Sequence, residues 1–506
     1  MKRLIILLFC ISVFVGIGVG ISGCANQSTD GINQMKDRDM TVYQAEEGTL
    51  LGKAVINNVM PGFTGDGYVD NISDEGDGIE LTVQIDSDGF YDLNFRCATA
   101  GGYKQNYVLV DGISNGVVVI EEDAKGFVDC ILNRVYLSKG EHKVSLTKYW
   151  GWMLVDCLQI YQSEELDEDM YDVPAKLCNK NADDNTKRLM SYLCDNYGEN
   201  FLSGQYCDGG MFGIENATIW KATGGKYPAV LGLDFIEYSP SRVKHGSKGD
   251  AVEKAIEYWE AGGIVTFCWH WNAPEQYLTG TWYRGFYAEE TNIDLAKIMN
   301  GEDQEGYELL LSDIDAIAKE LQILEDAGVP ILWRPLHEAS GGWFWWGNAG
   351  AEAYKKLYVL LYDKLVNEYG LNNLIWIWNG QQKDWYPGDE YVDIIGEDIY
   401  PGEHVYTSQA AKYLEAVDYT ETKKMVVLSE NGCLFDPDLA IRDGAMWGFF
   451  ATWGGEFVST NSKLNVLSEQ YTEAYMLQKI YNHERVINRD ELPDLKTYPI
   501  RTDANE

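Results

Sequence analysis

Two glutamates follow apolar runs at widely separated points of the chain. The first run, residues 331–336, is followed directly by His337 and Glu338. The second run, residues 425–428, is followed by Ser429 and Glu430. In a parallel β/α architecture, catalytic side chains lie at the carboxyl ends of the strands. We therefore expect Glu338 and Glu430 to lie close together at one end of such a fold.

Paired carboxyl groups of this kind suit the cleavage of a bond between sugars. One can protonate the leaving oxygen while the other attacks the anomeric carbon or activates water. The glycine-rich segment after Glu338 contains Trp343, Trp345 and Trp346, and indole faces are surfaces on which pyranose rings stack. Trp345 and Trp346 have a plain alternative role, which is to seal the loop.

Composition narrows the choice of partner. The chain of 506 residues has a formal net charge of −39, together with 16 Trp and 33 Tyr. This charge disfavours nucleic acid and anionic lipid headgroups, because both would be repelled. A neutral polysaccharide meets no such penalty, and the many aromatic residues can supply both core and stacking surface.

The N-terminus has the pattern of an export signal. Lys2 and Arg3 precede the apolar residues 4–21, and Ser22-Gly23-Cys24 follows, which predicts a signal peptide over residues 1–23. The ending resembles a bacterial lipobox, which implies a lipidated Cys24, a polar tether over residues 24–40 and a location on the extracellular face of a bacterial membrane. The alternatives are an ordinary signal peptide or an uncleaved anchor.

The other eight cysteines show neither a Cys-x-x-Cys pair nor zinc-ligand spacing. Cys97, Cys130 and Cys157 lie in alternating apolar patterns, which favours a role as small core residues. Export permits disulfides, but the spacing specifies none.

Residues 41–162 alternate apolar and polar positions. Strand patterns occur at residues 79–85, 91–97, 107–110, 117–120, 128–137 and 154–160, separated by Gly and Asp turns. This period of two, without a convincing helix, predicts an all-β sandwich. Residues 163–184 are acidic and contain Pro174, which predicts a linker.

From residue 185 to about 494, short apolar runs alternate with amphipathic helices, and residues 495–506 form a tail. The strand candidates are residues 201–206, 229–238, 264–269, 330–336, 374–378, 392–396, 425–428 and 445–450, with helices at 312–327 and 351–369 among those between them. Eight such units predict a (β/α)8 TIM barrel. A doubly wound open sheet is the alternative, but no Gly-x-Gly-x-x-Gly loop supports it.

Polar and aromatic residues follow five of the predicted strands. They are His270, His337, Glu338, Asp398, Tyr400, Glu430 and Trp453. This clustering predicts one site at the carboxyl ends of the barrel strands. Arg334, within the fourth strand, is expected to be the buried partner of an active-site carboxylate, with direct substrate binding as the alternative.

The barrel region resembles glycoside hydrolase family 26. The supporting motifs are Trp333-Arg334-Pro335-Leu336-His337-Glu338, Gly342-Trp343-Phe344-Trp345-Trp346, Asp398-Ile399-Tyr400-Pro401 and Ser429-Glu430-Asn431-Gly432. The resemblance implies Glu338 as acid/base and Glu430 as nucleophile, with Tyr400 donating to Glu430. It further implies that His270, His337, Trp343 and Trp453 contact sugar, and that Asp398 binds a hydroxyl or orients a neighbour.

The N-terminal module resembles carbohydrate-binding module family 35. The motifs are Tyr43-Gln44-Ala45-Glu46, Gly65-Asp66-Gly67-Tyr68-Val69 and Trp152-Met153-Leu154-Val155-Asp156. The resemblance implies a structural calcium held by Gln44, Glu46 and Asp156, although Gln44 replaces the usual Glu. An amide oxygen remains compatible with Ca²⁺. Trp150 and Trp152 are candidates for sugar stacking, with burial between the sheets as the alternative.

The resemblance to family 26, whose principal activity is endo-β-1,4-mannanase, implies a retaining enzyme that acts on mannan, glucomannan or galactomannan. With the export signal, the expectation is a lipid-anchored enzyme, expected to be monomeric. Nothing in the barrel motifs calls for a catalytic cofactor. The alternatives are a mixed-linkage β-glucanase, a β-1,3-xylanase, or a non-catalytic surface protein that binds glycans.

Overall fold

Two large hydrophobic cores divide the chain. The computed structural model describes residues 39–99, 101–121, 124–460 and 464–505. One core is formed by residues between Ala45 and Ile160, and the other by residues between Met170 and Ala504. The predicted order, a β module followed by a β/α domain, is confirmed.

The first unit is a sandwich of two antiparallel sheets. In β5 (Gly78–Ile85), the side chains of Ile79, Leu81, Val83 and Ile85 are buried between the sheets while Thr82 and Gln84 point outward. One sheet has the order β3-β4-β11-β6-β9 with β1 added beside β11, and the other has the order β2-β5-β10-β7-β8. The remaining strands of the sandwich are β1 (Met40–Gln44), β2 (Thr49–Leu51), β3 (Val55–Asn57), β4 (Tyr68–Ile72), β6 (Gly89–Ala98), β7 (Lys104–Val110), β8 (Ile113–Ile120), β9 (Val128–Leu137), β10 (Gly140–Trp150) and β11 (Met153–Gln162).

The strand β10 is absent from the set predicted from sequence. Its inward alternation rests mainly on Val144 and Leu146, and its other positions are mostly polar. Pairing with β5 on one side and β7 on the other makes it the central strand of its sheet. Tertiary pairing therefore decides a strand that its own apolar pattern only weakly indicates.

The second unit is a closed barrel of eight parallel strands, as predicted. The strands are β13 (Gly204–Tyr206), β14 (Val230–Asp234), β15 (Ile264–Trp269), β16 (Ile331–Pro335), β17 (Leu374–Trp378), β18 (Ile394–Ile399), β19 (Met425–Asn431) and β20 (Phe450–Thr452). Every residue of β15 and β17 is buried, because barrel strands are covered by side chains inside and by helices outside.

The predicted bounds of the first and last barrel strands are wrong. In the predicted strand 201–206, β12 (Phe201–Leu202) leaves the barrel and pairs with β21 (Val486–Ile487). The last strand begins at Phe450, where residues 445–450 were predicted. An apolar run indicates that its residues are buried, but not which strand they pair with. Residues 201–202 and 445–449 are buried without being part of the closed barrel.

Helices surround the barrel and connect its strands. The longest helix, α6 (Gln304–Asp326), begins after Asp303. The Asp303 side chain caps this helix by accepting a hydrogen bond from the Gly306 amide. The predicted helix 351–369 is α-helical only to Tyr362 and continues as a π-helix over Asp363–Glu368. The helices are α1 (Asp184–Asn196), α2 (Ile214–Thr223), α3 (Pro240–Lys244), α4 (Ala251–Glu260), α5 (Leu295–Met299), α6 (Gln304–Asp326), α7 (Ala351–Tyr362), α8 (Ala410–Val417), α9 (Pro437–Asp443) and α10 (Ala474–Tyr481).

Much of the predicted linker 163–184 packs as part of the barrel domain. Met170, Val173 and Leu177 are buried in the barrel's core, and the Tyr171 hydroxyl donates a hydrogen bond to the Gly444 carbonyl at 2.7 Å. The acidic residues of this segment are mostly exposed, and for this reason composition alone predicts a solvated linker.

The signal sequence and Cys24 lie outside the described residues. Within the described chain, no helix has both the length and the apolar character needed to cross a bilayer. Cys97, Cys130 and Cys157 are buried, and the eight cysteines of the described chain are free thiols.

Candidate active site

Glu338 and Glu430 lie at the carboxyl ends of β16 and β19. One carboxylate oxygen from each of Glu338, Asp398 and Glu430 lies within 4.8 Å of the others. Glu338 adopts a left-handed backbone conformation with φ of 53°, which is rare outside glycine and stores strain at functional sites. Its amide donates to the Asn379 carbonyl at 2.8 Å, and this contact holds the strained residue in place.

Arg334 connects two of the three carboxylates from beneath. Its guanidinium donates to Asp398 Oδ2 and to Glu430 Oε2, each at 2.6 Å, and to the Tyr206 hydroxyl at 3.0 Å. The Arg334 side chain is fully buried. A buried guanidinium requires such partners, and the predicted role of Arg334 as a carboxylate partner matches this geometry.

Asp398 is placed to orient Arg334. Its side chain is fully buried, with Oδ2 bound to Arg334 and Oδ1 accepting from Ser429 Oγ at 2.7 Å. Neither oxygen is directed to solvent. Of the two predicted roles, hydroxyl binding and orientation of a neighbour, this geometry supports the second.

Glu430 is held at both of its oxygens. Arg334 donates to Oε2, and the Tyr400 hydroxyl donates to Oε1. Burial of the hydroxyl raises the pKa of Tyr400 well above its usual value, and the neighbouring charge of Glu430 adds to the rise, so the hydroxyl keeps its proton and remains a donor. The two contacts fix the direction in which the Glu430 carboxylate points.

Glu338 is suited to carry a proton at neutral pH. Withdrawal from water raises its pKa well above the ordinary glutamate value, and the charges of Asp398 and Glu430 add to this effect. The Trp343 indole N–H donates to Glu338 Oε2 at 3.0 Å and opposes the rise. Two carboxyl groups held in different electrostatic surroundings can act as acid and nucleophile.

His270 and His337 meet edge to face beside these carboxylates. Their Nε2 atoms lie 3.3 Å apart, and His270 Nδ1 lies 2.6 Å from Asp234 Oδ2. Burial, with Arg334 and His270 nearby, lowers the pKa of His337 well below its usual value, so His337 is neutral. His337 is only 1% exposed, and His270 presents the accessible edge of the pair.

The predicted aromatic residues take two different positions. Trp343 is 46% exposed beside Glu338 and offers a stacking face. Trp453 is half-buried, with its ring 4.8 Å from Tyr206 and 5.7 Å from His270. Trp345 and Trp346 are buried and donate to the carbonyls of Trp271 and His337, which matches the alternative that they seal the loop.

Sequence reasoning missed three residues of this site. Tyr206 ends β13, Asp234 ends β14 and Asn379 directly follows β17. The signal that identified Glu338, a polar residue after an apolar run, was present for Asp234 and Asn379 as well. Tyr206 carried no such signal, because its role arises from contact with Arg334.

The predicted calcium ligands of the sandwich converge on one loop. Thr64 Oγ1 lies 3.1 Å from Gln44 Oε1 and 3.2 Å from Asp156 Oδ1, and Glu46 Oε1 accepts from the Asp66 amide at 2.6 Å. Glu46 Oε2 is buried without a hydrogen-bond partner within the described chain. These oxygens fit a calcium site.

The Asp156 carboxylate, one of the predicted calcium ligands, already has protein partners. Arg96 forms an ion pair with Asp156 Oδ2, and the Thr64 amide donates to Asp156 Oδ1 at 2.7 Å, so both oxygens of that carboxylate have protein partners. The two stacking candidates are both exposed. Trp150 is 63% exposed and Trp152 is 36% exposed, so neither is buried between the sheets.

Comparison with known sequences adds independent evidence. The model of glycosyl hydrolase family 26 matches residues 178–491, and that of carbohydrate binding module family 35 matches residues 41–163. A mannan endo-1,4-beta-mannosidase from Thermothelomyces thermophilus is 40% identical over 443 residues, which cover 86% of this chain and 89% of that protein. Mannan endo-1,4-beta-mannosidase B from Piromyces sp is 37% identical over 458 residues, which cover 89% of this chain and 77% of that protein.

Solved structures agree over both units. The GH26-CBM35 beta-(1,4)-mannanase of Podospora anserina matches 90% of this chain and 99% of its own, with a TM-score of 0.62 and 36% identity. A ruminal GH26 endo-beta-1,4-mannanase matches the same shares with a TM-score of 0.63 and 29% identity. The paired glutamates at the mouth of an eight-stranded barrel, the family models and these likenesses agree, and the chain belongs to glycosyl hydrolase family 26, with a family 35 carbohydrate-binding module before the barrel.

Proposed function

We propose that the protein is a retaining endo-β-1,4-mannanase that cleaves internal bonds of mannan, glucomannan or galactomannan. The approach of Glu338 and Glu430 within 4.8 Å carries this proposal. Retaining glycosidases hold their two carboxyl groups about 5–5.5 Å apart, whereas inverting enzymes leave about 6.5–9.5 Å for a water molecule. The close pair therefore favours direct attack by a carboxylate.

The geometry assigns a role to each glutamate. Glu430, oriented by Arg334 and Tyr400, attacks the anomeric carbon while Glu338 transfers its proton to the departing glycosidic oxygen. The C–O bond to the leaving sugar breaks, and an ester between Glu430 and the glycone forms. Glu338, now ionised, removes a proton from water, which attacks the same carbon and releases Glu430. Two inversions at one carbon give net retention.

Neighbouring residues support substrate binding. Trp343 offers an exposed ring face next to Glu338, and the ring of Trp453 lies 5.7 Å from that of His270. Similar mannan endo-1,4-beta-mannosidases from Thermothelomyces and Piromyces support mannan as the substrate. A neutral polymer also suits a chain of net charge −39.

Reducing-sugar release from mannan, lichenan and β-1,3-xylan tests the substrate. Hydrolysis of mannan well above the other two supports the proposal. Preference for lichenan or xylan identifies a glucanase or xylanase, and no release from any of the three identifies a non-catalytic binding protein. The anomeric configuration of the first products, followed by proton NMR, tests retention.

We further propose that Cys24 carries a lipid that anchors the enzyme to the outer face of a bacterial membrane, and that the enzyme is a monomer. The sequence Ile21-Ser22-Gly23-Cys24 supports the lipid anchor. Labelled palmitate should enter the wild type and not Cys24→Ala, and fractionation should move that variant from the membrane to the soluble fraction. Sedimentation velocity tests the monomer.

A structural calcium in the sandwich is a separate proposal. Gln44, Glu46 and Asp156 would hold the ion, and the unpartnered Glu46 Oε2 supports this. Calcium would screen the carboxylates and stiffen the loop at residues 64–67. Added calcium should raise the melting temperature of the sandwich in the wild type and leave that of Glu46→Gln nearly unchanged.

A further inference from the structure

A group of charged residues lies between the outer side of β18 and the helix α8. Glu397 precedes Asp398 in β18 and is fully buried. Lys412 of α8 places its Nζ 3.5 Å from Glu397 Oε2 and 3.2 Å from Glu415 Oε2. The same Nζ donates a hydrogen bond to the Tyr419 hydroxyl at 2.8 Å. We refer to Glu397, Lys412, Glu415 and Tyr419 as the lysine cluster.

Two members of the lysine cluster donate to one backbone carbonyl. Lys412 Nζ lies 3.2 Å from the Gln381 carbonyl oxygen, and the Tyr419 hydroxyl lies 3.0 Å from it. Gln381 belongs to the loop that follows β17 and has a left-handed backbone with φ of 62°. Such strained residues persist only where the surrounding contacts hold them. The two donors therefore supply contacts that keep Gln381 in this conformation.

The same loop holds the backbone around the proposed catalytic acid. The Asn379 carbonyl accepts the Glu338 amide at 2.8 Å, and the Gly380 carbonyl accepts the Ser340 amide at 3.3 Å. Glu338 is itself left-handed, with φ of 53°. Residues 379–381 therefore connect two strained residues, one bound to the lysine cluster and the other carrying the acid.

The helix that carries Lys412 is held on both sides. Tyr413 of α8 is buried in the core of the barrel domain, and Ala411 packs on the core of the sandwich. Just before the helix, Thr407 Oγ1 donates to the Ser114 carbonyl of the sandwich at 3.0 Å. Lys412 therefore has a fixed position from which to hold the loop.

We propose that Lys412 is a positioning residue for the catalytic acid Glu338. Its ammonium group holds the Gln381 carbonyl, which fixes residues 379–381, and the Asn379 carbonyl then sets the backbone of Glu338. Accurate placement matters, because a displacement of about 1 Å can slow a reaction about 10²-fold. The inference rests on the proposed function and adds a residue of α8 to the groups on which the reaction depends.

The surrounding charges keep Lys412 in the form that can donate. Burial acts to lower the pKa of Lys412, but the charges of Glu397 and Glu415 outweigh this effect and raise the pKa above its ordinary value. Burial also raises the pKa of Glu397 to about 8. Without Lys412, Glu397 can therefore hold a proton in place of an unpaired charge, so the loss of the lysine does not leave a buried anion.

Substrates with different leaving groups separate this role from a general loss of structure. In Lys412→Met, kcat/KM on an unactivated manno-oligosaccharide should fall roughly 10- to 100-fold. On a dinitrophenyl β-mannobioside, kcat/KM should stay close to the wild-type value, because dinitrophenolate departs without a proton from Glu338. Tyr419→Phe removes the other donor to Gln381 and should show a smaller loss with the same dependence on the leaving group.

The matched control is Lys424→Met. Lys424 donates to the Val392 carbonyl at 2.8 Å, at the amino ends of the barrel strands, and this variant should match the wild type on both substrates. Lys412→Met/Glu397→Gln removes the partner acid as well and should repeat the result of Lys412→Met, which keeps the test available if the single variant does not fold.

An equal loss on both substrates in Lys412→Met, or no loss on either, overturns the proposal. An equal loss would mean that Lys412 acts on the nucleophile or on stability alone. If the wild type hydrolyses neither substrate, the proposed function itself fails, and this outcome is separate from a Lys412→Met variant that matches an active wild type.

Discussion

Arg334 Nη2 lies 2.6 Å from Glu430 Oε2, in a pair whose side chains are 0% and 7% exposed. The same guanidinium binds Asp398, so one cation serves two carboxylates. A charge removed from water in this way needs its partners, because an unpaired buried charge costs several kcal/mol. The contact links the stability of the barrel to the position of Glu430, the proposed nucleophile.

Replacing Arg334 with Met should destabilise the barrel and abolish most activity. The change leaves Asp398 and Glu430 without their cation, and breaking a buried pair costs about 3–5 kcal/mol. Urea denaturation measures the free energy of unfolding. Arg485→Met is the control, because the exposed pair of Arg485 with Glu199 should contribute under about 1 kcal/mol. Equal losses in the two variants would contradict a special role for Arg334.

Removal of either glutamate should slow turnover of mannan by roughly 10³-fold or more, and azide should tell the two roles apart. In Glu430→Ala, azide can replace the nucleophile in a single displacement and give an α-mannosyl azide. In Glu338→Ala, azide attacks the glycosyl ester on Glu430 and gives the β-product.

An activated leaving group makes the first step possible without the acid, so substrates with dinitrophenyl leaving groups suit both azide experiments. NMR of the azide products reports the configuration. The same anomer from both variants would refute the assignment, as would wild-type rates in either one.

Trp343→Phe should move the alkaline limb of the pH–rate profile to higher pH. The indole N–H stabilises ionised Glu338 and lowers its pKa. Without this donor the pKa of Glu338 rises, so the protonated acid persists to higher pH. The shift is measured as the apparent pKa of the alkaline limb of kcat/KM, with an unactivated manno-oligosaccharide as the substrate. Trp220→Phe, at an exposed residue of α2, should leave the profile unchanged, and a downward movement in Trp343→Phe would show that this bond does not favour the ionised form.

Asp313→Asn should stabilise the protein at alkaline pH. Burial raises the pKa of Asp313 to about 7 from 3.8, while the Trp271 indole donates to Oδ2 at 2.8 Å. Below about pH 3 both folded and unfolded states hold the proton, so the ionisation of this residue does not affect stability there. As the pH rises to 7 the unfolded chain ionises first, and stability is lost.

The asparagine removes this loss and can still accept the Trp271 bond. Its gain over the wild type should grow between pH 4 and pH 8 by up to about 4 kcal/mol, as measured by urea denaturation at each pH. Asp384→Asn removes the same charge from an exposed loop and should show little change. A gain in Asp313→Asn that does not vary with pH would point to packing instead of ionisation.

Local sequence was sufficient for the barrel and for its central carboxylates. The strands β15 and β17 have the predicted bounds, because a buried parallel strand is continuously apolar and its ends are marked by polar residues. The same rule placed Glu338 and Glu430 at strand ends. It did not exclude β12, which is equally apolar but pairs with β21 outside the barrel.

The sequence by itself determined the two-unit architecture, the pair of glutamates and their setting among tryptophans, because periodicity and strand-end chemistry are properties of short segments. Only the tertiary structure decided which groups share Arg334, that Asp234 fixes His270, and that Thr407 of the barrel domain bonds the Ser114 carbonyl of the sandwich. Those contacts join residues far apart in the chain, and their energies depend on distance and burial, which no single segment encodes.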